Sequence, residues 1–541
     1  MASARTSAAP EHQSAQPADN PQIKSSPSSQ TNDSAPFSVP RISTGTPGLD
    51  DILGGGLPTG RMYLLEGEPG SGKTTLALKV LLHGVAQGER VLYITMSETE
   101  DELRSSARTH GWDLEGVRIL ELTPDEANAE TSTEYTVFYP SEVELSTTIR
   151  NLLQEVEQHK PSIIVMDSLS ELRLLAKDPV RYRRQLLALK QFFSDRRSTV
   201  LILDDRSDND DVQLRTIVHG VIHLSKMPRD YGVTRRHLEV IKLRGSTFRE
   251  GFHDYIIETG GIQVFPRLIA GEHDCNFPDD AVLSGLPELD DLLGGGIQRG
   301  TSTLVTGPSG IGKTSLVMQY LVHQAMQGER CVYFTFDEIG RLICKRSAGL
   351  GIPANEAIDS GNFIIDQIDP AELSPGEFIH RIRQRVESGV RFLAIDSING
   401  LLNSMPGEHE LILQLHELLA YLNQKGVVTF MILTTAGLVG QQEIAIDVSY
   451  LSDNILMLRY FEALGEVRQA LSAVKKRTGN HERSIRELRF ENSRLSIGPP
   501  IRDFHGVLSG LPRLADGEYR DNNSSRSQNG IAHPTDAKSQ N

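Results

Sequence analysis

The chain is poor in cysteine, tryptophan, positive charge and long apolar runs. Its 541 residues include only three cysteines, Cys275, Cys331 and Cys344. These are too few and too irregularly spaced for a disulfide framework or a zinc site, so the last two are expected inside a strand or helix. No stretch approaches the roughly 18 apolar residues of a membrane span, and the first residues lack the apolar core of a secretion signal. The expectation is a cytoplasmic protein that does not enter a membrane. Lys and Arg number 55 against 71 Asp and Glu, a formal net charge of −16. That balance counts against a general nucleic-acid binder, which usually carries a basic face to displace counterions.

What the chain does have is an internal duplication. Lys73 and Lys313, Gly45 and Gly285, and Glu89 and Glu329 are each 240 residues apart. Length and repeat together predict two globular α/β domains, 39–267 and 268–500, each large enough to bury its own core. Residues 1–38, rich in Ser, Ala, Pro and Gln, and the tail 501–541, rich in Asn, Ser and Asp towards its end, are expected to be largely disordered. Such segments can fold on binding and are the expected sites for protein partners.

Each copy reads as strand, glycine-rich loop, helix. Arg61–Leu65 is a short apolar run, and Thr74 to Ala86 carries Leu76, Leu78, Val80, Leu81 and Leu82, largely at helical spacing. Further buried strands are expected at 91–95, 162–167 and 198–203, and in the second copy at 303–305, 331–334, 392–396 and 428–433. Near-continuous apolar strands alternating with helices imply a mainly parallel sheet covered on both faces. Val221–Leu224 and Leu238–Arg244 suggest an antiparallel addition at one edge. The fold class is therefore α/β, two tandem domains that are each a mainly parallel sheet covered by helices, with disordered ends.

The chemistry follows from the loops. Gly67-Glu68-Pro69-Gly70-Ser71-Gly72-Lys73-Thr74 and Gly307-Pro308-Ser309-Gly310-Ile311-Gly312-Lys313-Thr314 both fit the Walker A pattern. Their glycines let successive N–H groups converge on phosphates at a helix N-terminus. Lys73 and Lys313 are expected on the β- and γ-phosphates of ATP, and Thr74 and Thr314 on magnesium. Thr75 and Ser315 complete the two nucleotide-binding sets. Asp167 and Asp396 end apolar strands and are read as Walker B carboxylates on the magnesium side. Ser97-Glu98 and Asp337-Glu338 end the second strand of each copy, where a carboxylate could orient a water or take a hydroxyl proton.

On the leaders Gly48–Gly56 and Glu288–Gly296, the loops ending at Thr75 and Ser315, the strands Ile164–Ser168 and Leu393–Ser397, and Lys242-Leu243-Arg244-Gly245, the chain resembles the KaiC family of tandem RecA-type ATPases. The resemblance spans roughly residues 39–500. It implies a homo-hexamer of double-decker subunits with ATP at the subunit interfaces. It also implies that Lys242, Arg244, Lys475 and Arg477 reach the neighbouring subunit's γ-phosphate. The family's C-terminal ring phosphorylates itself on adjacent Ser and Thr, so an autophosphorylating serine/threonine kinase activity is expected beside ATP hydrolysis, in signalling or timing. Ser449 matches the family serine, Tyr450 replaces the threonine, and Ser452 is a nearby hydroxyl. Ser97 replaces the first of the family's two glutamates, which makes catalysis more secure in the second domain. Two rival readings share the core: a RecA-type DNA-dependent motor or recombinase, and a nucleotide-gated scaffold with little turnover.

Overall fold

The structure, a computed structural model, describes residues 39–122, 140–176, 178–205, 212–229, 232–272, 276–369, 371–404, 411–435, 449–491, 493–509 and 513–514. Cys275 and most of both terminal segments lie outside the described residues. Cys331 sits in a strand and Cys344 in a helix, both buried.

The first sheet has nine strands: β1 Met62–Gly67, β2 Val91–Thr95, β3 Val117–Glu121, β4 Ile163–Asp167, β5 Thr199–Asp205, β6 Gly220–Met227, β7 Arg235–Leu243, β8 His253–Glu258 and β9 Gly261–Phe265. Their order is β3-β2-β4-β5-β1-β6-β7-β8-β9. The six strands from β3 to β6 run parallel, and β7, β8 and β9 follow antiparallel. The second sheet repeats this order with β10 Ser302–Gly307, β11 Cys331–Thr335, β12 Phe363–Gln367, β13 Phe392–Asp396, β14 Val428–Thr434, β15 Asn454–Ala463, β16 Glu466–Lys476, β17 Arg486–Glu491 and β18 Arg494–Pro500. The antiparallel addition expected from the sequence is thus a four-strand meander, β6 to β9, at one side of each parallel block.

Alternation within the apolar strands sends residues to both faces, which is why they read as continuous runs. Tyr63, Leu65, Tyr93, Val165 and Leu201 pack with Leu76, Leu78 and Leu81 of helix α1 (Lys73–Ala86). Met62, Leu64, Leu92, Ile94, Ile164 and Met166 face the other way, onto Leu152, Leu186 and Phe193. Each fully buried Leu, Ile or Phe contributes roughly 1.5–3 kcal/mol relative to exposure. Beyond Pro500 the chain continues onto the second sheet: Ile501, Phe504 and Val507 pack with Phe461, Ala463 and Ala470.

The two copies meet through the meander of the first. Ser374 caps helix α2 (Pro375–Glu387) by accepting from the Glu377 N–H at 3.1 Å. The Gly376 N–H in the same turn donates to Asp254 Oδ2 of β8 at 2.7 Å, and Asp254 Oδ1 lies 3.0 Å from His237 Nε2 of β7. The Val233 N–H also donates to the Ala371 carbonyl at 3.1 Å.

Candidate nucleotide-binding sites

Gly72 and Gly312 stand at φ +99° and +105°, a left-handed backbone that glycine adopts freely and that starts the helix directly at Lys73 and Lys313. An added Cβ would also lie 2.7 Å from Ile257 Cδ1 in the first copy and 2.3 Å from Phe490 Cζ in the second. The meander therefore backs each loop closely. Tyr255 of β8 adds a hydroxyl donated to the Ser71 carbonyl at 2.6 Å.

In the first copy Lys73 Nζ donates to the Gly67 and Glu68 carbonyls at 2.9 and 3.1 Å and pairs with Asp205 at 2.7 Å. Thr74 Oγ1 donates to Asp167 Oδ2 at 3.1 Å, and the Tyr93 hydroxyl donates to the same oxygen at 2.5 Å. The second copy matches. Lys313 donates to the Gly307 and Pro308 carbonyls at 2.9 and 2.8 Å, and Thr314 donates to Asp396 Oδ2 at 2.8 Å. The Tyr333 hydroxyl donates to that same Oδ2. Burial raises the pKa of Asp167 and Asp396 against the hydrogen bonds from tyrosine and threonine, and lowers Lys313 to about 8.

These groups suit a nucleotide and a magnesium ion. The lysines end beside backbone cradles at helix N-termini, and hydroxyl and carboxylate oxygens, the hard donors magnesium prefers, meet at the threonine that follows each lysine. No cluster of three or more His, Cys, Asp or Glu that could hold a metal occurs among the described residues. An ion here would therefore be held through one carboxylate, one hydroxyl and the phosphates themselves.

The strand-end acids differ between copies. Glu98 is fixed by reciprocal bonds between its backbone and Thr95 Oγ1, at 2.7 and 3.0 Å, and Thr99 opens the next helix with a capping box to Glu102. Partial burial, and then the Asp167 and Glu102 carboxylates, raise the pKa of Glu98. Glu338 has the same backbone clasp to Thr335, but its carboxylate is forked by Arg346 at 3.0 and 2.8 Å. Asp337 Oδ2 accepts from Ser397 Oγ at 2.8 Å.

The basic and hydroxyl residues lie elsewhere. Leu243 pairs with Gly220, which pairs with Tyr63, so Lys242 and Arg244 are at the edge where β1 begins. The loop leaves β1 at its other end, after Gly67, about 13 Å away at roughly 3.3 Å per residue. Lys242 donates to the Arg215 carbonyl, and Arg244 to that of Thr216 at 2.8 Å. In the second copy Thr303 pairs with Asn454, and Ile455 with Lys475. Lys475 donates to the Ser449 and Ser452 carbonyls at 3.0 and 2.7 Å. Arg477 binds Asp453 and the Tyr450 carbonyl, both at 3.1 Å. Ser449, Ser452, Lys475 and Arg477 thus form one group, on the sheet edge opposite the chain's own phosphate loop. Ser452 is fully buried and donates to the Ser449 carbonyl at 3.0 Å.

Sequence reasoning passed over Tyr93, Tyr333, Asp205 and Arg346. For the tyrosines a signal existed, because they too are 240 residues apart. Asp205 and Arg346 have no counterpart at that spacing to draw notice.

The profile of the KaiC ATPase family matches residues 42–269 and 282–501. The chain is 28% identical over 501 residues to the circadian clock oscillator protein KaiC of Parathermosynechococcus lividus, covering 88% of each chain. It is 27% identical over 490 residues to the circadian clock protein KaiC3 of a Synechocystis species, covering 88% of this chain and 95% of that one. Against KaiC of Acaryochloris marina it is 27% identical over 506 residues, covering 91% and 95%.

Proposed function

Because the chain belongs to the KaiC family of ATPases, we propose that it is a magnesium-dependent, ATP-hydrolysing homo-hexamer with ATP at the subunit interfaces, and that its second domain phosphorylates Ser449 of the adjoining copy. It would act in the cytoplasm, in signalling or timing. The observation that carries this reading is the sheet register. Along the strands Lys242 and Lys475 lie about 10 Å, and Arg244, Arg477 and Ser449 about 13 Å or more, from their own loops, which supports their completing a site on another copy. A head-to-tail ring that closes on itself satisfies that requirement.

In the transfer, Ser449 Oγ bonds to the γ-phosphorus as the bond to the β,γ-bridging oxygen breaks and ADP leaves. Asp337 of the neighbouring copy takes the hydroxyl proton. Asp337 suits this role better than Glu338, whose carboxylate is occupied by Arg346. Lys313 and Arg477 stabilise the charge that spreads over the phosphoryl oxygens. Magnesium, held by Thr314 and Asp396, would neutralise part of the phosphate charge. The buried Ser452 hydroxyl makes a poorer acceptor than Ser449.

A mixing experiment tests the reading. Lys313→Ala and Arg477→Ala chains, distinguishable by mass, are each expected to remain unphosphorylated alone. Mixed with ATP and magnesium, they should restore phosphate at Ser449 of the Lys313→Ala chain, whose acceptor edge is intact. Phosphate on the Arg477→Ala chain instead, or on neither, would refute transfer between copies.

A further inference from the structure

Two tyrosines at matching positions lie outside the roles assigned so far. Tyr93 pairs with Val165 and Thr95 with Asp167 across β2 and β4; Tyr333 pairs with Ala394 and Thr335 with Asp396 across β11 and β13. Each tyrosine therefore faces a position two residues before the carboxylate, on the sheet face shared with the loop's helix. A side chain as long as tyrosine spans such a diagonal. Both residues show no exposed surface.

The two phenols end on one oxygen, Oδ2, of Asp167 and Asp396, the oxygen that also accepts from Thr74 or Thr314. The other carboxylate oxygen makes no hydrogen bond among the described residues. A threonine hydroxyl that turns a lone pair to a metal can still donate its proton, but its orientation is then set by the ion as well as by the carboxylate. The phenol then remains to hold the group, because it is rooted in a buried strand.

We propose that Tyr93 and Tyr333 are positioning residues that hold Asp167 and Asp396 in the orientation that receives the nucleotide-bound divalent ion. This rests on the nucleotide–magnesium reading of the two sites. Groups that orient a metal-holding side chain typically alter metal affinity 10–100-fold when removed. A purely structural phenol would instead lower thermal stability and leave affinity for the ion unchanged.

The test uses the full chain with both phenols removed, Tyr93→Phe with Tyr333→Phe, which preserves ring volume. Manganese binding is followed by electron paramagnetic resonance in the presence of a non-hydrolysable ATP analogue, beside analogue binding in EDTA and the thermal midpoint. The expected result is a free manganese requirement raised about tenfold or more, with metal-free analogue binding within twofold. The single variants should each weaken half of the bound ions. A manganese requirement within twofold of the parent's in the double variant would overturn the inference. A parent that binds no manganese with the analogue would overturn the nucleotide–magnesium reading as well.

Discussion

Replacing Asp254 with alanine removes a carboxylate that holds the first domain's meander to helix α2 of the second. The side chain is 10% exposed, and its partner His237 is 13% exposed. Its two oxygens take the His237 ring and the Gly376 N–H at 3.0 and 2.7 Å. Removing a buried carboxylate that accepts two hydrogen bonds, each worth about 1.5–3 kcal/mol when one group is charged, costs about 3–5 kcal/mol. Domains of this size lose ~2–4 °C in midpoint per kcal/mol, so Asp254→Ala should fall by roughly 6–20 °C. Asp254→Asn keeps the shape and an acceptor for Gly376, and should lose about 1–3 kcal/mol. Burial alone would raise the Asp254 pKa, but His237, the Gly376 N–H and Ser374 outweigh it and hold it below the usual carboxylate value. A depressed acid stabilises above its unfolded pKa, about 3.9, and that stability is lost as pH falls through the lower folded value. The gap between parent and Asp254→Asn should therefore be full at pH 7 and close below about pH 4. Urea and thermal midpoints across pH measure it. A loss under about 1 kcal/mol for Asp254→Ala at pH 7 would refute the claim that this contact fastens the domains.

Lys313, lowered to about 8 by burial, must be charged to hold a phosphate. Triphosphate affinity at the second site should fall as much as about tenfold per pH unit above 8, with proton uptake on binding. Calorimetry in buffers of different ionisation heat reads that uptake, and its absence at pH 9 would contradict the depressed lysine. The same depression costs folding stability below pH 8, a cost relieved as pH rises from about 8 towards the ordinary lysine value. Among the acids, Asp337→Asn should slow second-domain turnover by about 10²–10⁴-fold, whereas Glu338→Gln should act weakly. Glu98→Gln, in a Lys313→Ala background that isolates the first site, should remove most of the remaining turnover. Phosphate release unchanged by Glu98→Gln would exclude Glu98 as the base.

Most of the parallel strands, though not β15, and both phosphate loops were legible because one-dimensional signals define them: unbroken apolar runs, fixed glycine spacing, an aspartate at a strand's end. The edge strands β3 and β12 were not read. Val117 and Ile119 alternate with polar or partly exposed neighbours, and Phe363 is the only fully buried residue of its strand. The tyrosine clamp, the Arg346 fork and the Asp254 anchor depend on side-chain reach between elements far apart in sequence. Neither period nor spacing carries that reach. The position of Ser449 was also hidden, since a single 3-10 turn, Ser449–Leu451, sets it beside Lys475 and Arg477.

The duplicated sites have diverged, and magnitudes indicate which difference matters. Asp205 and Thr434 occupy equivalent register positions, opposite Gly67 and Gly307. Asp205 pairs with Lys73, while the Thr434 backbone is clasped by Asn399 and leaves Lys313 to its loop carbonyls. A phosphate arriving in the first copy must compete with a carboxylate. That acid is 51% exposed, however, and an ion pair so open to water is worth only about 0–1 kcal/mol, a few-fold in affinity. The strand-end acids weigh far more, because a positioned proton acceptor contributes about 10²–10⁴ in rate. Asp337 has its counterpart in Ser97, which cannot accept a proton as a carboxylate does. Glu98 remains, with a pKa raised by partial burial and two neighbouring acids, a direction that makes it a stronger proton acceptor. The first site should thus bind nucleotide nearly as well as the second and depend on Glu98 alone for turnover. In the ring proposed above, a first domain that holds ATP longer than it turns it over would serve assembly, and the proposed phosphoryl transfer would fall to the second.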